Sequence, residues 1–302
     1  MVFNYVLTVL TAFFISLSAL GKKYSNAHAK REKFLNISAF SLLIAAVMWI
    51  VFAFTGDAVN GTVVLFSAVF AVNYIVCNFT LYAAMELGSL SKTNLFNSLS
   101  LVIPTLAGIV FWHEEFNIFM LCGAMALMIA SLLLIILKAE PAESEEEKEK
   151  RRKSKAKWVI FNLIAFFTNG LSSIIQKWEQ TVTGGQGAFS MTALSFTFVA
   201  VFAFAVYLVC ALVGKCPLKD DFNALLHNKK DVLFNAVGLG EVNLAVTYLS
   251  TRIPGAFLFP CVLGGSVIIT TVFSAVFFKE KLNARVIVGI LLGVAAIVIF
   301  SL

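Results

Sequence analysis

One pattern written twice constrains this chain more than any other feature. Leu101–Leu137 carries Pro104, the corner Phe111-Trp112-His113-Glu114-Glu115-Phe116-Asn117 and an apolar run containing Gly123. Phe259–Leu302 carries the corner Phe277-Phe278-Lys279-Glu280-Lys281-Leu282-Asn283 and an apolar run containing Gly289. A constant offset of 166 residues pairs Phe111 with Phe277, Glu114 with Glu280, Asn117 with Asn283 and Gly123 with Gly289. Each copy reads as two hydrophobic helices joined by a short polar corner with a glutamate. The likeness extends further: Leu17–Tyr24 matches Leu171–Trp178 at an offset of 154, and Tyr82 meets Tyr248 at 166. The chain therefore reads as a duplicated helical unit.

The solvent for those helices follows from composition. Of the 302 residues 60% are hydrophobic and 13% charged, with a mean hydropathy of +0.90. A water-soluble core of this size needs less apolar surface, whereas lipid-facing helices need it all. A crossing takes roughly 20 apolar residues. Polar punctuation divides the chain into ten such spans, at about 2–21, 36–54, 62–87, 93–112, 116–137, 158–177, 188–213, 232–251, 256–278 and 284–301. The first ends in Gly21-Lys22-Lys23 without a small-residue cleavage site, so it reads as a span and not a cleaved leader. The expected fold is an all-α integral membrane protein of ten transmembrane helices. Residues 1–137 and 158–302 form two five-helix repeats, joined by a charged linker at 138–157. A five-span unit followed by its copy enters the membrane from the opposite side, which makes the repeat inverted.

Charge orients the bundle. All of the 23 Lys and Arg residues except Lys177 and Arg252 fall on one side of the predicted spans. By the positive-inside rule that side, with the linker, is cytoplasmic, and both termini are extracellular in a multi-pass cell membrane protein. Because the cations are scattered through short loops, nucleic acid is not an expected partner of the +6 net charge. The five cysteines contain no CxxC pair and mostly lie within apolar runs, so no disulfide or metal framework is expected. No HExxH, GxSxG, Walker or paired-carboxylate constellation appears, which argues against an enzyme and against a bound cofactor.

The repeated corner, the Gly-bearing helices after it, and the Leu-Ser-rich helix ends before Lys23 and Lys177 resemble the drug/metabolite transporter superfamily, and within it the ten-helix EamA-like proteins. The resemblance covers essentially the whole chain. It implies a transporter in which span 6 lines the substrate cavity; it does not imply a substrate. Many relatives keep both termini in the cytoplasm, the reverse of the orientation read here from charge.

Polar side chains in the spans are the site candidates, because an unpaired amide facing lipid costs a few kcal/mol. In span 6, Asn162, Phe166, Asn169, Ser173 and Gln176 fall within about 40° of one line on a 3.6-residue helix. Such a stripe either hydrogen-bonds to other helices or lines a wet cavity. Glu241 lies near the middle of span 8, where a carboxyl normally marks a functional site. Tyr248 shares its helical face, and Arg252 follows four residues later. Asn73, Tyr74, Asn78 and Tyr82 in span 3, and Asn94, Asn97, Ser98 and Ser100 in span 4, add polar groups without forming a single stripe. Glu114 and Glu280 sit where a carboxylate meets the positive end of the next helix, a structural role.

The expected function is secondary transport by alternating access, with spans 1, 3, 4, 6, 8 and 9 around a mid-membrane site. Substrate contacts would come from Glu241, Tyr248, Asn162, Asn169, Ser173, Gln176, Asn73 and Tyr82, with Glu241 as the coupling group. One carboxylate among amides and aromatics suits a small polar metabolite such as an amine, a quaternary ammonium or an amino acid, coupled to protons or another cation or run as exchange. Beyond solute, proton and lipid bilayer, the expected assembly is a monomer or weak homodimer. The rival readings are a lipid-linked flippase and a non-transporting membrane scaffold whose inward amides would all be paired with one another.

Overall fold

The computed structural model describes residues 2–24, 30–55, 57, 59–113, 122, 125, 126, 129, 130, 145–185, 187–214, 218–227, 229–249, 252, 260–279 and 284–299. Among these the regular elements are helices, with no strand. They are α1 (Val2–Tyr24), α2 (Lys30–Thr55), α3 (Gly61–Leu87), α4 (Leu90–Ser98), a 3-10 turn (Leu99–Leu101), α5 (Val102–Trp112), α6 (Glu145–Val182), α7 (Ala188–Val213), α8 (Leu218–His227), α9 (Lys229–Leu249), a π-helical turn (Pro260–Gly264), α10 (Gly265–Phe277) and α11 (Ala284–Ile299).

Among the described residues seven stretches are long and apolar enough to cross a membrane: Val6–Tyr24, Arg31–Thr55, Gly61–Leu87, Leu90–Trp112, Arg152–Val182, Ala188–Val213 and Lys229–Leu249. They fall on expected spans 1, 2, 3, 4, 6, 7 and 8. Val262–Phe277, on expected span 9, is a shorter apolar helix. The expected span at 116–137 and the corner glutamates Glu114 and Glu280 lie mostly or wholly outside the described residues.

Polarity is inverted relative to a water-soluble protein. Ile50, Leu65, Val209 and Leu212 are exposed on the outside, while Ser16, Ser67, Asn162 and Ser190 are fully enclosed. That is the arrangement lipid demands, since apolar side chains face the hydrocarbon and polar ones must find partners inside. Inside the bundle α1 packs on α9, α2 on α7 and α3 on α6. Further seams join α1 to α10, α4 to α10, α4 to α6, α2 to α9 and α3 to α7.

Local sequence explains where helices start, bend and stop. Asn60 caps α3, its side-chain oxygen accepting from Val63 N at 2.9 Å. Pro104 has no N–H to donate to the carbonyl of Ser100, and the helix tightens to 3-10 geometry over Leu99–Leu101 at that point. α5 ends where His113 turns left-handed at φ 51°, and Lys279 does the same at φ 50° just past α10. Among the described residues these are the non-glycine positions with positive φ, and they stand in corresponding places of the repeated corners.

Two elements add to the sequence reading. The charged stretch, read as a solvated linker with some helix, is helical from Glu145 and runs without a break into the span, making α6 38 residues long. Spacings such as Glu147 to Arg151 and Glu149 to Lys153 place opposite charges one turn apart and support such a helix. The second is α8, inside a segment read as polar loop. Asp221, buried in its first turn, accepts from Arg31 Nε of α2 at 3.0 and 2.9 Å on its two oxygens and from Tyr207 OH of α7 at 3.3 Å.

The α1–α9 seam brings the two halves into close contact. A Cβ added at Gly238 would lie 2.5 Å from Phe14 O and 3.0 Å from the Ser18 Cβ, so only glycine fits. Gly238→Leu is expected to destabilise by about 2 kcal/mol or more through overpacking. Gly61, with open space around it, should accept Ala without loss. Thermal unfolding of both variants in one detergent checks the contrast.

Candidate functional site: a cavity between the two halves

The inward faces of α1, α3, α4, α6, α9 and the π-helical turn leave a cavity of about 120 Å³. Its walls follow helical periodicity. α1 contributes Ile15, Ser18, Ala19 and Lys22, and α9 contributes Leu239, Val242, Asn243 and Val246, each set at i, i+3, i+4 and i+7. α3 adds Tyr74, Cys77, Asn78, Leu81 and Met85, and α6 adds Asn169, Ser172, Ser173 and Gln176. Asn94, Asn97, Ser98 and Ser100 reach in from α4 and the 3-10 turn. The helices that wall it are those of expected spans 1, 3, 4, 6, 8 and 9.

Of the eight expected substrate contacts, three line this cavity: Asn169, Ser173 and Gln176. Asn169 Nδ2 donates to Ser100 Oγ at 2.7 Å, tying α6 to the tightened turn. Gln176 Nε2 donates to Asn243 Oδ1 at 3.3 Å and Thr247 Oγ1 at 3.2 Å. Asn162 lies on the same stripe but beyond the cavity's end; fully enclosed, its Nδ2 donates to Trp158 O of its own helix at 2.8 Å. Asn73 fastens α3 to α6 by donating to Thr168 O and Ser172 Oγ, both at 2.8 Å.

Glu241 and Tyr248 stand elsewhere. Both are on the face of α9 opposite Leu239, Asn243 and Val246, since two and nine residues from Leu239 amount to about half a turn. Glu241 is half-buried on the α1 side, where Thr11 Oγ1 donates to its Oε1 at 3.0 Å. Its Oε2 is enclosed and has no hydrogen-bond partner among the described residues. Tyr248 packs with Leu7, Ile15, Leu249 and Val262, and the Arg252 guanidinium lies 3.7 Å from its ring centroid.

A cluster of charge that the sequence reading left among the loop residues closes one end of the cavity. Asp231 is buried at the start of α9 and accepts from Tyr82 OH at 2.8 Å, Asn235 Nδ2 at 2.5 Å and Asn36 Nδ2 at 2.8 Å. Lys22, also buried, donates from Nζ to Asn235 Oδ1 at 2.8 Å. Tyr82 thus belongs to this cluster and not to the cavity wall. Its neighbour Lys23 points elsewhere and caps the end of α3, donating to Met85 O at 2.9 Å and Gly88 O at 2.6 Å. The signal available in the sequence was that Ser18 and Lys22 share one face of α1.

The two ends of the cavity are built alike. At the charged end Asn235 Nδ2 donates to Tyr82 OH at 3.3 Å; at the other, Asn243 Nδ2 donates to Tyr74 OH at 3.3 Å. The two pairs are separated by eight residues on α3 and eight on α9, about 12 Å along each helix. Between these bolts the amide oxygens of Asn78 and Asn97 are enclosed without hydrogen-bond partners among the described residues. No group of three or more His, Cys, Asp or Glu side chains able to hold a metal occurs among the described residues.

No family model matches the chain, and no curated protein does. A solved structure described only as "Crystal structure of protein" superposes with a TM-score of 0.61 over 98% of this chain and 96% of that one, at 11% sequence identity. The likeness is one of fold.

Removing one partner of a buried charge pair leaves the other uncompensated, at a cost of about 3–5 kcal/mol. Asp231→Ala is therefore expected to lower thermal stability in detergent far more than the double variant Lys22→Met/Asp231→Asn, which removes both charges and keeps the side-chain volumes.

Proposed function

We propose that this chain is a secondary transporter of a small polar metabolite that works by alternating access, on the plan of the EamA-like transporters it resembles. The observation that carries this reading is a cavity walled by both halves of the chain, with amides, serines and Lys22 set among apolar side chains, and bolted by a Tyr–Asn pair at each end. A non-transporting scaffold would pair its inward amides with one another; Asn78 and Asn97 line the cavity, and their enclosed amide oxygens have no hydrogen-bond partner among the described residues.

Two five-span repeats, 1–137 and 158–302, supply the mechanics. Exchange of the halves turns the α1–α9 seam into α3–α6, α1–α10 into α4–α6 and α2–α9 into α3–α7. The same exchange returns α2–α7 and α4–α10 to themselves. The left-handed corners at His113 and Lys279 obey it too. Such a relation supports ten spans with inverted topology, in which two equivalent packings open to opposite sides. Both helices that carry an irregular turn beside the cavity, Leu99–Leu101 and Pro260–Gly264, are expected spans 4 and 9, matching places in the two repeats. The basic face, with the linker, is cytoplasmic in this reading.

Glu241 couples from the seam and not from the substrate cavity. Its carboxyl joins α1 to α9 through Thr11, where the halves must slide as the cavity changes sides. Proton loss there adds a charge to the seam, and proton gain removes it.

Ser173→Cys in a variant lacking the five native cysteines tests the proposal. A membrane-impermeant maleimide should reach Cys at 173 from either face of oriented vesicles, with a ratio that changes with pH. Glu241→Gln should flatten that pH dependence. Labelling from one face only contradicts alternating access, and an unchanged pH dependence contradicts the coupling role.

A further inference from the structure

We propose that the cavity takes an anionic solute, a small carboxylate bearing hydroxyl or N–H donors, with Lys22 as its charge anchor. This rests on the transporter reading and names the substrate class for it. Lys22 Nζ is the charged group among the described cavity-lining residues, and the carboxylate that balances it is already held by neutral donors. Tyr82 OH and Asn235 Nδ2 occupy Asp231 Oδ1, and Asn36 Nδ2 occupies Oδ2. The amide of Asn235 stands between the two charges, taking Lys22 on its oxygen and giving its nitrogen to Asp231. An ammonium has three N–H donors. One is spent on Asn235 and the ammonium lies 6.0 Å from the Tyr82 ring centroid; the remaining donors are those assigned to a ligand.

The remaining wall supplies the complement of an anion's other end. The enclosed, unpartnered amide oxygens of Asn78 and Asn97 accept hydrogen bonds and cannot donate them, so a small turn of either side chain would suit them to hydroxyl or N–H groups of the solute. Glu241, the carboxyl expected to attract an amine, faces away from this space. Charge-assisted hydrogen bonds from Lys to a carboxylate are about twice as strong as neutral ones, and stronger still when shielded from water. The volume of about 120 Å³ corresponds to about four waters of liquid, which limits the solute to a few heavy atoms.

Three matched probes test this: lactate, its amide lactamide, and the amine 1-amino-2-propanol, each titrated against the purified protein with Tm and calorimetric affinity as readouts. Lactate should raise Tm in a saturable way, and the amide and amine should not. Lys22→Met should weaken apparent lactate affinity about tenfold or more, whereas Lys219→Met, on the exposed α8, should leave it unchanged. Because Lys22→Met strands a buried carboxylate, Lys22→Met/Asp231→Asn is the second variant, and it should fold yet lose the lactate response. If neither variant folds, the ranking of the three probes on the wild-type protein decides. Stabilisation by the amine or amide equal to that by lactate, persistence of the lactate response in the double variant, or no response to any probe overturns the assignment. Two-sided labelling at position 173 without a carboxylate preference would remove this inference and leave transport standing; lactate binding without two-sided labelling would do the reverse.

Discussion

Lipid offers no hydrogen bonds, and every polar side chain in the spans is placed by that fact. Each amide left facing hydrocarbon would cost several kcal/mol. The inward turn of Asn78, Asn94, Asn97, Asn169, Gln176 and Asn243 is thus the condition for their presence in apolar helices. Once turned inward they cannot all pair. Each asparagine presents two donors and an acceptor, and helices whose backbones are 8–10 Å apart admit only some of the pairings. The cavity is the space where pairing stops. Asn73, which finds both Thr168 and Ser172, acts as a staple; Asn78 and Asn97 line the hollow, their enclosed oxygens without a hydrogen-bond partner among the described residues.

Tight and loose seams divide the labour between holding and moving. Glycine at 238 lets α9 approach the backbone of α1 closely, and Gly21 brings α1 near Asp231 O and Phe234 in the same seam. Packing of this kind tolerates sliding better than interlocked large side chains do. The Tyr–Asn bolts are single neutral hydrogen bonds at 3.3 Å, long for strong O and N partners, and so inexpensive to break. By contrast the basic face is fastened by Arg31 to Asp221 and by Lys33 to Glu86 at 2.6 Å. These two ion pairs lie at the periphery, whereas the buried Lys22–Asn235–Asp231 cluster ties the charged end of the cavity itself.

Legibility in the sequence followed the length scale of the feature. Apolar runs of span length are long and strongly patterned, and the long helices fall on them. The stripe on α6 was equally clear because amides at i, i+7 and i+14 leave little choice of face. Its extent was not clear: Asn162 lies on that line yet reaches only its own helix. Depth along a helix was readable for Glu241, but its direction depended on which face of α9 meets the other half, and that is a property of packing. Lys22 and Asp231 were hidden for another reason. They are separated by 209 positions, both flank predicted loops, and each alone looks like an ordinary interfacial charge. The short helix α8 escaped because ten residues with a single apolar face carry little periodic signal.

The central claim is that water reaches the cavity. Hydroxyl-radical footprinting of the unmodified protein tests it most directly through two methionines of nearly equal burial. Met85 lines the cavity at 3% exposure, and Met48 is packed in the apolar core at 6%. A hydrated cavity predicts that Met85 is oxidised several times faster than Met48, despite being the less exposed of the two. Equal protection of both would mean a dry centre and would contradict the account.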